Sequence, residues 1–290
     1  MTFRFPAPPG GALTPEMLAA YHEHGFLVLE DFATPEECLE LRRRAVSLMS
    51  AAASESRTVF STTGRDHNAD RYFMESGDKV RFFWEKDAFA ADGSLRGDPE
   101  LCLNKIGHAL HDQDPVFEAF SYRPEVGAIA RRLGHRRPGI IQSMYILKPP
   151  RIGGEVTCHQ DSTYIYTEPD TCLGFWLAVE EATVQNGCMW FLPGEHRGTL
   201  KERNVRVGGY ATELRVLDDS PWPLERAIPV EAPVGAAVLF HGRAPHFSRA
   251  NRSERSRHAY TLHLVDLEAE YPAENWLQRG GVREMPEREV

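Results

Sequence analysis

No stretch of the 290 residues approaches the ~18 consecutive apolar positions that a membrane-spanning helix needs. Cysteine is sparse: Cys38, Cys102, Cys158, Cys172 and Cys188 include no Cys-x-x-Cys pair. An odd, scattered set reads as reduced thiols in an intracellular protein. Positive charge is in deficit, with 33 Lys and Arg against 42 Asp and Glu and a net charge of −9. That balance argues against nucleic acid or an anionic membrane as the main partner. The stretch from Met1 to Ala12 carries a single Arg and lacks the apolar run of a signal peptide. The ending Glu-Arg-Glu-Val is not a peroxisomal address, so the cytoplasm is the expectation by elimination. Internal repeats at solenoid or propeller periods are also lacking.

What is present suffices for a sizeable core: 42% apolar and 10% aromatic residues, with 26% charged. The length is about twice that of a usual domain, yet all-β barrels of this size are often single domains. Residues 1–13 read as a loose tail. Thr14-Pro15-Glu16 opens a helix that Gly25 stops, and Phe26-Leu27-Val28-Leu29 suits a buried strand. Thr34, Pro35 and Glu37 form a capping box for a helix to about Ala51. Ala52 to Asp70 reads as a surface loop, and Tyr72 to Trp84 as a hairpin turning at Ser76-Gly77-Asp78. Pro124 to Leu133 is helical, capped by Gly134. Short β-rich runs then follow at 140–147, 174–179, 188–192, 236–240 and 258–265. Helices first and many short strands later predict a β-sandwich or barrel with helical support. The stretch 195–233, poor in pattern and rich in Arg, Gly and Pro, is expected to be an irregular lid or substrate loop.

His159-Gln160-Asp161 is the one His-x-Asp in the chain. On extended backbone, residues i and i+2 face one side, so imidazole and carboxylate converge. Alone the triplet reads equally well as a surface turn. A second histidine, His246, follows the strand-like run Gly235 to His241, and Arg257 comes eleven residues later. Two histidines and one carboxylate with open positions suit non-haem Fe(II) and oxygen chemistry. An Arg reaching back across a hairpin could grip a dicarboxylate through its fork, as a Lys cannot. Taken singly, His246 is an ordinary loop histidine and Arg257 a solvated cation; together, after His-x-Asp, they form a pattern.

That order, His-x-Asp, a distant His, then Arg, resembles the phytanoyl-CoA dioxygenase family of 2-oxoglutarate oxygenases. The resemblance spans nearly the whole chain: Tyr21 to Leu29, Ser76 to Phe83, Asn104 to His111, Gln142 to Ile146, Gly153 to Val156, Tyr166 to Pro169, Asn186 to Cys188, Phe191 to Gly194 and Glu274 to Leu277. These strings are more similar to the domain-containing-protein branch than to phytanoyl-CoA hydroxylase itself. The resemblance implies a mainly β fold, a double-stranded β-helix (a cupin-like jelly roll) flanked by helices, built as one oxygenase domain over 1–290. It implies His159, Asp161 and His246 as iron ligands. Arg257, with Ser256 beside it, would hold the far carboxylate of 2-oxoglutarate. Lys105, Met144 and Trp176 would line the co-substrate pocket. By themselves Lys105 would be read as a helix-surface lysine, and Met144 and Trp176 as core. The implied reaction couples decarboxylation of 2-oxoglutarate by O2 to hydroxylation of a small-molecule or acyl substrate, acyl-CoA thioesters included.

Two other readings share the residues. A zinc hydrolase can use two histidines and a carboxylate but has no use for Arg257; a non-catalytic binding module can occupy the same fold. Within the family resemblance, an intact Asp161 favours hydroxylation over halogenation. His22 and His24 are expected on a surface face. His108 and His111, three apart on a possible helix, are expected to be structural or pocket residues. His241 competes with His246, and the spacing to Arg257 favours His246. Arg131, Arg132, Arg136 and Arg137 with His135 could hold the phosphates of a CoA thioester, or form a solvated helix end.

Overall fold

The computed structural model describes residues 2–50, 52–55, 57–60 and 71–287. Fourteen strands run through them: β1 (Arg4–Pro6), β2 (Phe26–Glu30), β3 (Val80–Trp84), β4 (Leu103–His108), β5 (Pro138–Lys148), β6 (Val156–His159), β7 (Leu173–Ala178), β8 (Met189–Phe191), β9 (Glu202–Gly208), β10 (Ala211–Val216), β11 (Ile228–Val230), β12 (Ala237–His241), β13 (His246–Ser248) and β14 (Arg257–Asp266). Eight form one sheet in the order β1-β2-β12-β7-β14-β5-β4-β3; β11-β8-β13-β6 form a second, and β9 pairs with β10. This is the jelly roll that the resemblance implies.

Alternation along the large sheet divides the core in two. Phe26 and Val28 of β2, Trp176 and Ala178 of β7, Val238 and Phe240 of β12 and Ala259 of β14 pack on Cys188, Met189, Phe191 and Val230 of the small sheet. Their neighbours in sequence, such as Leu27, Phe175, Leu239 and Tyr260, face the other way and pack against the helices. Those helices are α1 (Pro15–His24), α2 (Pro35–Met49), α3 (Ala52–Glu55), α4 (Arg71–Met74), α5 (Leu110–Gln113), α6 (Pro115–Ser121) and α7 (Pro124–Arg132). Helix α1 starts where Thr14 Oγ1 accepts from Met17 N–H at 3.4 Å. It ends at Gly25, whose φ of 83° lets its N–H close on Tyr21 O at 2.8 Å. At α2, Thr34 and Glu37 satisfy each other's backbone N–H groups reciprocally, as a capping box does.

The five later β-rich runs and α7 lie where the sequence places them. Four expectations change. The tail is not loose: Arg4–Pro6 pairs in parallel with Val28–Glu30 as the edge of the large sheet, and Leu13 is buried. Tyr72 to Trp84 is no hairpin: Arg71–Met74 is helical, and β3 pairs instead with β4, twenty residues on. Within the expected 52–70 loop, Ala52–Glu55 is a helical turn with Ala52 buried; positions 61–70 lie outside the described residues. The stretch 195–233 is less irregular than expected, because Glu202–Gly208 and Ala211–Val216 form a hairpin turning at two positive-φ glycines. All five cysteines are free, and no described helix is long and apolar enough to cross a membrane.

Candidate active site

Strands β6 and β13 run antiparallel, with His246 directly opposite His159, so the two rings stand 4.3 Å apart between centroids. Asp161 follows through one extended residue, Gln160, and opens a 3-10 turn that Ser162 N–H anchors to Gly242 O at 2.9 Å. Asp161 Oδ1 lies 3.3 Å from His159 Nε2 and 3.7 Å from His246 Nε2. The three donor atoms fall within 4.8 Å of one another, the one such group among the described residues. Ligands at bond lengths of about 2.1 Å around one ion sit roughly 3 Å apart when adjacent, so a small contraction would seat a metal.

The ring orientations suit that task. His159 Nδ1 donates to Thr157 O at 2.8 Å and His246 Nδ1 to Ala244 O at 3.0 Å, so that each Nε2 faces Asp161 Oδ1 and presents a lone pair to a metal once it carries no proton. Burial opposes ionisation of Asp161, yet the His263 and His246 rings and hydrogen bonds from His159 and His263 hold its carboxyl well below the usual range. Burial and the neighbouring His159 push His246 down to about 4, so its ring is neutral. At His159 burial is outweighed by the hydrogen bond and charge of Asp161, and the pKa rises.

The triad opens onto a cavity of about 210 Å³. Lys105, Met144, Trp176 and Arg257 all line it; Ser256 does not, because its hydroxyl donates to Glu180 Oε2 at 2.7 Å. Lys105 corrects its own expectation, lying buried on β4 rather than on a helix surface, with Nζ 3.3 Å from the Phe60 ring centroid. Burial lowers its pKa to about 7. Nor is Arg257 a solvated cation: it is 2% exposed, 5.6 Å from the Trp176 ring, and burial brings its pKa to about 10. Among the described residues its Nε and Nη1 have no partner, and neither has the buried Thr261 Oγ1.

Three lining residues escape the motif reading. Thr261 and His263 stand four and six positions after Arg257 on one face of β14, and Gln142 lies opposite His263 on β5. Even offsets along a strand were the available signal. His263 Nε2 donates to Asp161 Oδ2 at 2.8 Å.

The remaining histidines sort by contact. His22 is exposed, but His24 is buried. His108 ends β4 and lines the cavity, while His111 is buried on α5 against Ser143 and Arg279, so the two share no helix face. His241 Nδ1 accepts from Arg243 N–H at 3.0 Å and stays outside the triad. The basic cluster is occupied: Arg136 pairs with Glu268, Arg137 with Glu284, and Arg131 and Arg132 bond backbone carbonyls. His135 is buried between Ala130 O and Thr171 O.

Comparison with known proteins gives a consistent result. The family model described as "Phytanoyl-CoA dioxygenase (PhyH)" matches residues 21–259. A "Phytanoyl-CoA dioxygenase" of Arabidopsis thaliana is 41% identical over 281 residues, covering 96% of both chains. A "Phytanoyl-CoA dioxygenase domain-containing protein 1" of Bos taurus is 43% identical over 277 residues, 92% of this chain and 95% of that one. Among solved structures, EctD from S. alaskensis with bound Fe superposes with a TM-score of 0.67 at 18% identity, covering 97% of this chain and 89% of that one. At that identity the likeness speaks for the fold alone.

Proposed function

The chain belongs to the phytanoyl-CoA dioxygenase family and is an iron(II)- and 2-oxoglutarate-dependent dioxygenase, and from that premise we propose how its residues divide the work. His159, Asp161 and His246 would hold the iron, a donor set suited to Fe(II) chemistry with 2-oxoglutarate and O2. Arg257 grips the far carboxylate of 2-oxoglutarate. The observation that carries this reading is the pair of unpartnered guanidinium nitrogens, Nε and Nη1, buried in the same cavity as the triad. A buried cation without acceptors is costly, and a bidentate carboxylate supplies them. Thr261 Oγ1, unpartnered on the same strand face, adds a third contact. Lys105 gives the second cation for a dianionic co-substrate, with Met144 and Trp176 as walls. Ser256 is left out of the pocket because Glu180 engages it.

The bound iron, with O2, supplies the oxidation, in which 2-oxoglutarate becomes succinate and CO2 and a substrate C–H becomes C–OH. The protein positions the partners and excludes water. Ile146, Val156, Met189, Phe240 and Phe247 line the cavity with apolar surface, which suits a small-molecule or acyl substrate.

Anaerobic titration of the iron-loaded protein with 2-oxoglutarate, followed by O2 and a succinate assay, tests this. Wild type is expected to bind the co-substrate and release succinate, and Asp161→Ala to release none. Arg257→Ala should weaken 2-oxoglutarate binding by about 10–100-fold without loss of iron, the range for a hydrogen bond to a charged group. Arg257→Lys should not restore it, because an ammonium lacks the fork. Succinate release no greater than that of Asp161→Ala would overturn the assignment.

A further inference from the structure

The cavity has a second polar region that the iron ligands and Arg257 leave unused. His108 lines it from the end of β4, is fully buried, and has no partner at Nε2. Its other nitrogen is accounted for. Ser76 Oγ donates its one hydrogen to Phe73 O, so it can only accept from His108 Nδ1–H, at 2.7 Å. Nε2 is therefore a bare lone pair. On β14, His263 gives Nε2–H to Asp161, and its Nδ1 is buried without a partner. Both rings line the same cavity, with Gln142 opposite His263 on the neighbouring strand.

A buried acceptor left bare costs stability unless something donates to it. The described residues offer nothing: Phe73, Phe83 and Trp276 surround the His108 ring at 5.2–5.4 Å between centroids. Burial, with Lys105 and His263 close by, holds His108 far below the usual histidine range, so the ring stays neutral.

We propose that His108 Nε2 recognises the oxidised substrate through the substrate's own hydrogen-bond donor, a hydroxyl or amide N–H group on an uncharged frame. An anion is disfavoured because His108 Nε2 presents a lone pair. A cation is disfavoured by Lys105, whose charge reaches His108. The aromatic wall of Phe73 and Trp276, stacked at 4.5 Å, takes the flat or aliphatic body of the molecule. The inference rests on the preceding reading, which puts 2-oxoglutarate at Arg257 and leaves this region to the substrate.

The test is calorimetric, on the full chain with Fe(II) and saturating 2-oxoglutarate in the absence of O2. The probes are benzyl alcohol, its methyl ether, benzoate and benzylammonium. Wild type is expected to bind the alcohol about tenfold tighter than the ether, the value of one hydrogen bond to an otherwise bare buried acceptor. In His108→Phe that preference should fall below about threefold. Equal binding of alcohol and ether by wild type overturns the proposal and leaves His108 Nε2 with an internal water only. Tightest binding by benzoate or benzylammonium overturns it as well, in favour of a charged-ligand site. The wild-type comparison does not depend on any variant folding. If 2-oxoglutarate fails to bind, the preceding reading falls, and the alcohol–ether comparison run without it still decides this one.

Discussion

Asp161 has two carboxylate oxygens, and they have different partners. Oδ1 faces His159 and His246, while Oδ2 is held by His263 at 2.8 Å. A carboxylate fixed in this way offers one defined oxygen to a metal and cannot swing away. His263→Phe should therefore lower iron affinity by about 10–100-fold, the usual cost of losing an outer-shell partner. Anaerobic iron titration reads it, alongside a melt in chelator that separates lost folding from lost affinity. Affinity within about threefold of wild type would show the bond to be idle. The convergence of His159, Asp161 and His246 was legible because their spacing is local at one end and tied to Arg257 at the other. His263 and Thr261 were not, because what identifies them is a strand face, and a face is evident only once β14 is known to begin at Arg257.

At the scale of elements, the middle residue of His-x-Asp joins the segments that carry the proposed ligands. Gln160 is buried; its Nε2 donates to Arg243 O at 3.0 Å and to Thr199 O at 3.3 Å, and its Oε1 accepts from Lys201 N–H at 2.9 Å. One side chain thus ties β6 to the turn before β13 and to the root of the β9–β10 hairpin. Gly242 permits the close approach: a Cβ there would collide with Ser162 Oγ and lie 2.5 Å from Cys172 Cβ. Gln160→Ala strips partners from three backbone groups, and should cost about 2–3 kcal/mol of stability in denaturant titration. It should also weaken iron binding, because His159 and His246 would no longer share a fixed frame. A loss confined to stability, with iron affinity intact, would reduce Gln160 to a packing role. Element-level reading of the sequence succeeded where signals are local, as at the caps of α1, α2 and α7. It failed at Tyr72 to Trp84, where the turn signal is real but the partner of β3 is remote. It failed at the N-terminus too, since three residues pairing with β2 carry no periodicity.

For the whole molecule, the succession of short β-rich runs late in the chain was enough to predict a β-sandwich or barrel with helical support. What it could not give is how many histidines the core buries. Besides His108, three outside the triad are shifted strongly: burial, with cationic neighbours, takes His111 to about 3 and His196 and His241 to about 4. In the unfolded chain each returns to about 6.5. Between those values the unfolded state binds more protons than the folded one, so stability falls as pH falls. The contribution is complete above about pH 6.5, declines through about pH 4, and is exhausted near pH 3, where folded and unfolded forms are protonated alike. The depressed carboxyl of Asp161 acts in the same direction, with its loss beginning below its ordinary pKa of 3.8. Denaturant midpoints of the metal-free protein at about pH 7.5, 5.5 and 4.5 should therefore decrease in that order, with the steeper part below 6.5. Equal midpoints at the first and last pH would mean that these rings reach solvent and protonate without unfolding. Chelator throughout keeps iron release from contributing, so the slope reports the buried imidazoles and not the triad's hold on metal.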